Sequence, residues 1–181
     1  MAYIKFSGIG IKAVSACVPK KVIGREELKD LIPEEEIEKT LNSIGIKEKR
    51  YADSDTCASD LCVKAAEKLF EDNDIDKSEI DALIFVCQTS DYHQPATAPS
   101  IQHRLGLSTS VLSFDVNLAC SGYVYGLSIA YSFASQMGIR NVLLLVGETM
   151  SKMVSKKDKE SFPLFGDAGT ATLICKGDCG D

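Results

Sequence analysis

Tryptophan is absent from the 181 residues, and histidine occurs only at His93 and His103. No apolar run approaches the ~20 residues of a membrane span, and VLLLV at 142–146 has the length of a core strand. The seven cysteines (17, 57, 62, 87, 120, 175 and 179) are odd in number and contain no Cys-x-x-Cys. Neither a zinc site nor a disulfide framework is supported, and most read as reduced, buried small hydrophobes. Positive charge is also scarce. A formal net charge of −6 without a basic stripe of interleaved aromatics excludes a nucleic-acid partner. The densest basic run, Lys152, Lys156, Lys157 and Lys159, reads as a solvated loop, or more sharply as a dock for a phosphate or an acidic partner. MAYIKFSGIG lacks a charged segment followed by a long apolar one. No signal peptide and no membrane partner are therefore expected, and the expected location is cytoplasmic.

What is present is an ordinary globular composition, 45% apolar and 25% charged, enough for one domain with a sizeable core. In ASDLCVKAAEKLF (58–70) the apolar residues recur at i, i+3, i+4, i+7, which makes one buried helical face. Ser54 or Asp55 is a candidate cap for its start. EIDALIFVCQTS supplies a strand over 80–88 that is apolar on both faces and so central in a sheet. Further along, the pattern predicts a helix over 97–105 ending at Gly106 and a strand over 111–116. A helix over 120–137, apolar nearly all round, stops at Gly138, and strands follow over 141–147 and 168–175. With an opening strand before Pro19, the alternation predicts an α/β layered domain on a mostly parallel mixed sheet.

GIGIKA at 8–13 fits a dinucleotide glycine fingerprint only loosely. No helix follows and Pro19 interrupts, so a nicotinamide site is rejected. Cys120 is the stronger candidate. It falls where the 111–116 strand gives way to a helix, with Asn117 available to cap. A thiol in the first turn lies by the positive end of the helix dipole, and unpaired N–H groups there suit a developing oxyanion. Gly122 and Gly126, four apart, clear one helical face for a close-lying backbone. On residue type alone, a cysteine in apolar surroundings packs more often than it reacts.

Four segments in order tip that balance: LIFVCQTSDYHQPATAPSIQHRLGL, DVNLACSGYVYGLSIA, NVLLLVGETMS and FPLFGDAGTATLI. Together they resemble the ketoacyl-acyl-carrier-protein synthase III family of the thiolase superfamily, from the opening IKFSGIG to about Cys175. The resemblance implies a thiolase-like fold, of which this chain is one of two similar halves. It places the family's nucleophile on Cys120, acylated from acyl-CoA before decarboxylative condensation with a malonyl group on acyl carrier protein. It implies no bound cofactor, a homodimer pairing through the 111–116 strand, and a setting in fatty-acid or related biosynthesis.

The resemblance also implies a histidine and an asparagine in a second half, which this chain is expected to lack; His93 and His103 match neither. The family's CoA-clamping aromatic and arginine fall on Lys39 and Lys159, and its pocket phenylalanine before a loop proline on Gln94. Gln94 leaves room for a different or more polar starter than simple acetyl, and the lysine pair for weaker CoA use or a carrier-protein donor. Phe165 falls on an aromatic of the acyl pocket, with plain core as the alternative. Thr89 and Ser90 end the central strand, where α/β folds gather ligands; an N-cap is the simpler role, above all for Ser90. Glu148 suits a hydrogen-bonded structural carboxylate that could orient the site, and Asp167 a turn residue, with Gly166 and Ala168–Gly169 giving the bend. A different acyltransferase of the superfamily and a non-catalytic half-length partner are the competing functions.

Overall fold

The computed structural model describes residues 3–177. Its centre is a five-stranded sheet built from β1 (Ile9–Cys17), β4 (Ile80–Val86), β5 (Leu112–Val116), β6 (Asn141–Thr149) and β7 (Asp167–Lys176), in the order β1-β7-β6-β4-β5. The three strands β6, β4 and β5 run parallel, and β7 and β1 extend the sheet antiparallel. The sheet is therefore mixed, with its parallel part confined to the strands linked by helical crossovers, which parallel neighbours require.

Alternation along the strands divides the core into two layers. Leu83, Phe85, Leu143, Leu145, Ala171 and Leu173 face helices α2 (Ala58–Asp72) and α3 (Ala98–Arg104). Ala82, Ile84, Val86, Val142, Leu144 and Ile174 face α4 (Gly122–Ala134). Strands buried on both sides read as unbroken apolar runs, which is why β4 and β6 are evident from composition alone. On one side, the backbone of α2 lies directly on the sheet. A Cβ on Gly169 would stand 2.5 Å from the Cys62 nitrogen. Gly169 is thus a strand residue beneath a helix, and the expected bend at 168–169 is replaced by β7.

The helix start at 58 is as expected, but neither Ser54 nor Asp55 caps it. Asp60 reaches back to accept the Cys57 N–H at 2.6 Å, and Lys152 Nζ donates to the carbonyls of Ser54 and Thr56. Residues 20–56, unassigned from sequence, form a satellite. The short strands β2 (Lys21–Ile23) and β3 (Lys49–Tyr51) pair antiparallel beside α1 (Glu34–Ile44). Ile23, Leu28, Ile32, Ile37, Tyr51 and Phe162 form its own small core.

Among the described residues, no helix is long and apolar enough to cross a membrane, and no cluster of three His, Cys, Asp or Glu residues is arranged to hold a metal. Cys17, Cys57, Cys62, Cys87 and Cys120 are free thiols. Of these only Cys62 and Cys87 are buried and Cys120 is exposed, so the expectation of small buried hydrophobes fits just the first two. Cys175 is disulfide-bonded, which corrects the expectation of reduced thiols there; Cys179 lies outside the described residues.

Candidate active site

The parallel strands β4, β5 and β6 end together at one edge of the sheet. Val86 and Val116 are register partners, as are Val86 and Val146, and the Cys87 N–H donates to the Val116 carbonyl at 3.1 Å. The turns that leave β4 and β5 carry Thr89 and Cys120, and the last residues of β6 carry Glu148. Three candidate residues widely separated in sequence therefore lie toward the C-terminal edge of the parallel strands, where open α/β sheets gather their ligands.

Cys120 is exposed in the turn that follows β5. The helix begins two residues later than expected: Ser121 is the N-cap and Gly122 the first helical residue. The thiol thus precedes the first turn of α4, and Asn117 does not cap it. The Gly122 N–H closes the turn on the Ala119 carbonyl at 2.7 Å. What holds this turn in place is the fit of α4 on the sheet. A Cβ on Gly122 would stand 2.8 Å from Val86 Cγ1, and one on Gly126 would stand 3.0 Å from both Val86 and Leu144. The glycine pair does clear a face, but for branched side chains of β4 and β6 rather than for another backbone. Gly122, Gly126, Ala130 and Ala134 form the buried ridge. On the opposite face Val124 is 64% and Tyr125 58% exposed, and Ser128 and the exposed Ser132 follow, donating to the carbonyls of Val124 and Ser128.

Glu148 ties the other two strand ends together. Its carboxylate accepts the N–H of Gln88 at 2.7 Å, the N–H of Thr89 at 3.0 Å and the Thr89 hydroxyl at 2.6 Å. Thr89 Oγ1 in turn accepts the Thr149 N–H at 2.8 Å. The Cys87 thiol sits 3.6 Å from both Thr89 Oγ1 and Glu148 Oε2, and burial pushes its pKa up to about 12. The Thr89 hydroxyl is therefore spent on this lock, and Ser90 donates to the Tyr92 carbonyl rather than capping a helix. Glu148 also borders an apolar depression of about 390 Å³ that includes Val14, Tyr123, Val146, Thr170 and Thr172. Tyr123, in the first turn of α4, and Thr172 of β7 meet across it, their hydroxyls 3.4 Å apart.

Phe165 is half-buried and joins none of the three core clusters, whereas Phe162 does. Lys159 lies on a separate depression of about 690 Å³ with Lys21, Lys156, Lys157, Tyr51 and Phe162. Lys39 lies instead on the α1 face with Glu36, Thr40 and Ser43, so no single depression holds Lys39 and Lys159. His93, Gln94 and His103 are exposed.

Asp167 departs most from its expected role. It is the buried first residue of β7, and its carboxylate accepts the Ala52 N–H at 2.7 Å and the N–H and hydroxyl of Ser151. It is a staple between the satellite and the sheet, not a turn residue. Asp115 went unremarked in sequence: from β5 it accepts the N–H groups of Thr97 and Ala98, each at 2.7 Å, and so caps α3. An aspartate inside an otherwise apolar strand, VLSFDV, was the available signal.

Residues 114–181 match the family model described as 3-oxoacyl-[acyl-carrier-protein (ACP)] synthase III. A putative 3-oxoacyl-[acyl-carrier-protein] synthase 3 of Campylobacter jejuni is 36% identical over 177 residues, which is 96% of this chain and 50% of that protein. The beta-ketoacyl-[acyl-carrier-protein] synthase III of Caldanaerobacter subterraneus is 33% identical over 91% of this chain and 49% of its own. The crystal structure of a 3-oxoacyl-(acyl-carrier protein) synthase from Burkholderia xenovorans LB400 superposes with a TM-score of 0.92 at 39% identity, covering 97% of this chain and 50% of that one. The chain spans about half the length of the curated relatives it matches. By sequence and by fold, the chain is similar to about half the length of 3-oxoacyl-[acyl-carrier-protein] synthase III proteins.

Proposed function

We propose that the chain is the N-terminal, nucleophile-bearing half of a synthase III-type condensing enzyme of fatty-acid or related biosynthesis, with Cys120 as the acyl carrier. In the first step the Cys120 sulfur attacks the carbonyl of an acyl-CoA, the carbon–sulfur bond to CoA breaks, and CoA leaves as its thiol after taking up the cysteine proton. In the second, a malonyl group on acyl carrier protein loses CO₂. The resulting carbanion attacks the Cys120 thioester, forming a carbon–carbon bond and releasing the cysteine. The observation that carries this reading is the exposed Cys120 in the turn that leaves β5, at the same sheet edge as the Glu148–Thr89 lock. Phe165 and Lys159 are the proposed acyl-pocket and donor contacts, and Thr89 acts through the lock rather than by touching substrate.

The exposed Val124 and Tyr125 at the start of α4 favour a second half as their natural cover, and the decarboxylation pair belongs to that half. Alone, the chain should accept an acyl group without condensing it; the assembled enzyme is proposed to be a cytoplasmic homodimer without a bound cofactor. The test is to offer malonyl-acyl-carrier protein to chain already acylated on Cys120, alone and within a full-length protein. Release of a 3-oxoacyl product only from the full-length protein supports condensation. A full-length protein that moves its acyl group to another acceptor without losing CO₂ would make it a plain acyltransferase.

A further inference from the structure

The loop that leaves β4 is anchored three times before α3 begins. At its near end the N–H groups of Gln88 and Thr89 are held by Glu148 of β6, and at its far end those of Thr97 and Ala98 by Asp115 of β5. Asp115 belongs to the strand that leads to Cys120. Both outer anchors therefore tie the loop to the sheet edge that carries the candidate nucleophile. Between them residues 92–96 are exposed, Tyr92 by 56%.

The third anchor is of another kind. Asp91 Oδ2 accepts the hydroxyl proton of Ser59, the fully buried second residue of α2. The Ser59 oxygen in turn accepts Arg104 Nη1, from the end of α3, at 2.8 Å, and Arg104 Nη2 donates to Asp60 at 2.6 Å. A hydroxyl has one proton; with Asp91 taking it and Arg104 donating, the direction of each bond is set. Arg104 thus reaches the Asp91 carboxylate through Ser59. The other carboxylate oxygen, Asp91 Oδ1, is buried without a hydrogen-bond partner. An oxygen so placed costs stability, and a turn whose polar groups faced water would join β4 to α3 without that cost.

We infer that Ser59 is a positioning residue for the candidate active site: by joining Arg104 to Asp91 it holds the exposed 92–96 segment in one pose at the edge where Cys120 lies. The inference rests on the reading of Cys120 as the acyl carrier and adds to it a determinant of substrate affinity that does not touch the substrate. Pinned at its two ends alone, the loop would have to be ordered by the incoming acyl-CoA. Fixing its centre beforehand removes that ordering cost from binding. Loss of the relay therefore falls on affinity for a bulky substrate and spares the reactivity of the thiol, because a small reagent needs no ordered loop.

The test compares wild type, S59A, D91A and D91N. Alanine is a better helix former than serine, so S59A cuts the relay without weakening α2 itself; D91A cuts it from the loop, and D91N keeps an acceptor for the Ser59 hydroxyl. Chymotrypsin on the folded chain, with peptide mapping, should cleave after Tyr92 about tenfold faster in S59A and D91A, the scale of one lost charge-assisted hydrogen bond, and at the wild-type rate in D91N. Cys120 acylation by acetyl-, butyryl- and octanoyl-CoA is then followed by intact mass over a range of concentrations. The half-saturating concentration should rise about tenfold in S59A and D91A and return to the wild-type value in D91N. The rate at saturation, and labelling of Cys120 by iodoacetamide, should be the same in all four, whereas a merely structural role would move these together. No acylation of the wild type by any of the three overturns the reading of Cys120 and this inference with it. Wild-type acylation that S59A and D91A leave unchanged, Tyr92 cleavage unchanged by both, or D91N as impaired as D91A overturns the inference alone.

Discussion

The carboxylate of Glu148 and the hydroxyl of Thr89 meet at 2.6 Å, and through this contact the ends of two parallel strands are locked together. Thr89 passes the link on by accepting the Thr149 N–H, while the two backbone N–H groups at 88 and 89 are also committed to Glu148. Removing the carboxylate leaves several partly buried donors unpaired at once. E148A should lower unfolding stability by about 3 kcal/mol, and E148Q, which keeps an acceptor, by about 1 kcal/mol. Urea unfolding with an unchanged slope measures both. Equal stability of E148A and wild type would show the lock to be incidental.

The five free thiols among the described residues differ sharply in their surroundings, which sets an order of reactivity. Burial raises the pKa of Cys62, Cys87 and Cys57, and the first two are also buried from reagents. Cys120 is exposed. Iodoacetamide near pH 7.5, followed by peptide mapping of the folded protein, should label Cys120 well ahead of Cys87 and Cys62. Labelling of Cys87 at an equal or higher rate contradicts the placement of these thiols.

Lys49, whose Nζ is buried against the rings of Phe162 and Tyr51 without a hydrogen-bond partner, makes a further prediction, on stability. Its folded pKa of about 8 is below the ordinary lysine value, so the folded state holds this proton less tightly than the unfolded chain. The ammonium is a cost that is fully present below pH 8, and it fades as pH rises from about 8 towards the unfolded value near 10.5. K49M should therefore be more stable than wild type at pH 7, with the gap narrowing by pH 10. Denaturant midpoints of both proteins at the two pH values decide it; a gap that stays constant or widens with pH refutes the burial of this charge.

Much of the fold is legible in the sequence because the parallel strands and α2 carry their own signal. Runs such as LIFV and VLLLV need no partner to be recognised as buried, and the α2 stripe follows the helical period. The start of α4 lies two residues beyond the expected one because Ser121 and Gly122, a turn-type pair, form the cap and first residue of the helix rather than part of its first turn. Asp167 was misread for a different reason. Its partners Ala52 and Ser151 lie 115 and 16 residues away, and no local pattern announces a staple of that kind. Lys49 gave no signal at all: its aromatic cage needs Phe162, brought to β3 by the packing of the satellite core. Cys120 was identified from its setting and its resemblance to the family. The Glu148–Thr89 lock depends on β4 and β6 being neighbours in the sheet, which no local pattern announces.

The bare side of α4 should make the chain associate. Val124 and Tyr125 lie together on it, next to the apolar depression at Tyr123, and contiguous apolar surface of this kind seeks cover. Light scattering during size exclusion should show mass rising with concentration, and V124E with Y125E should shift the chain towards monomer without unfolding it, since both side chains are largely exposed. A wild-type chain that stays monomeric at high concentration counts against an uncovered interface.

The most direct test of Cys120 as the acyl carrier is an intact-mass measurement of the chain after incubation with a panel of acyl-CoAs, with C120A alongside. The wild type should gain the mass of one acyl group for at least one member of the panel, as a hydroxylamine-labile thioester, and C120A should gain none. An equal adduct on C120A, or no adduct on wild type from any acyl-CoA, would contradict the assignment of Cys120 as a nucleophile preorganised within this half.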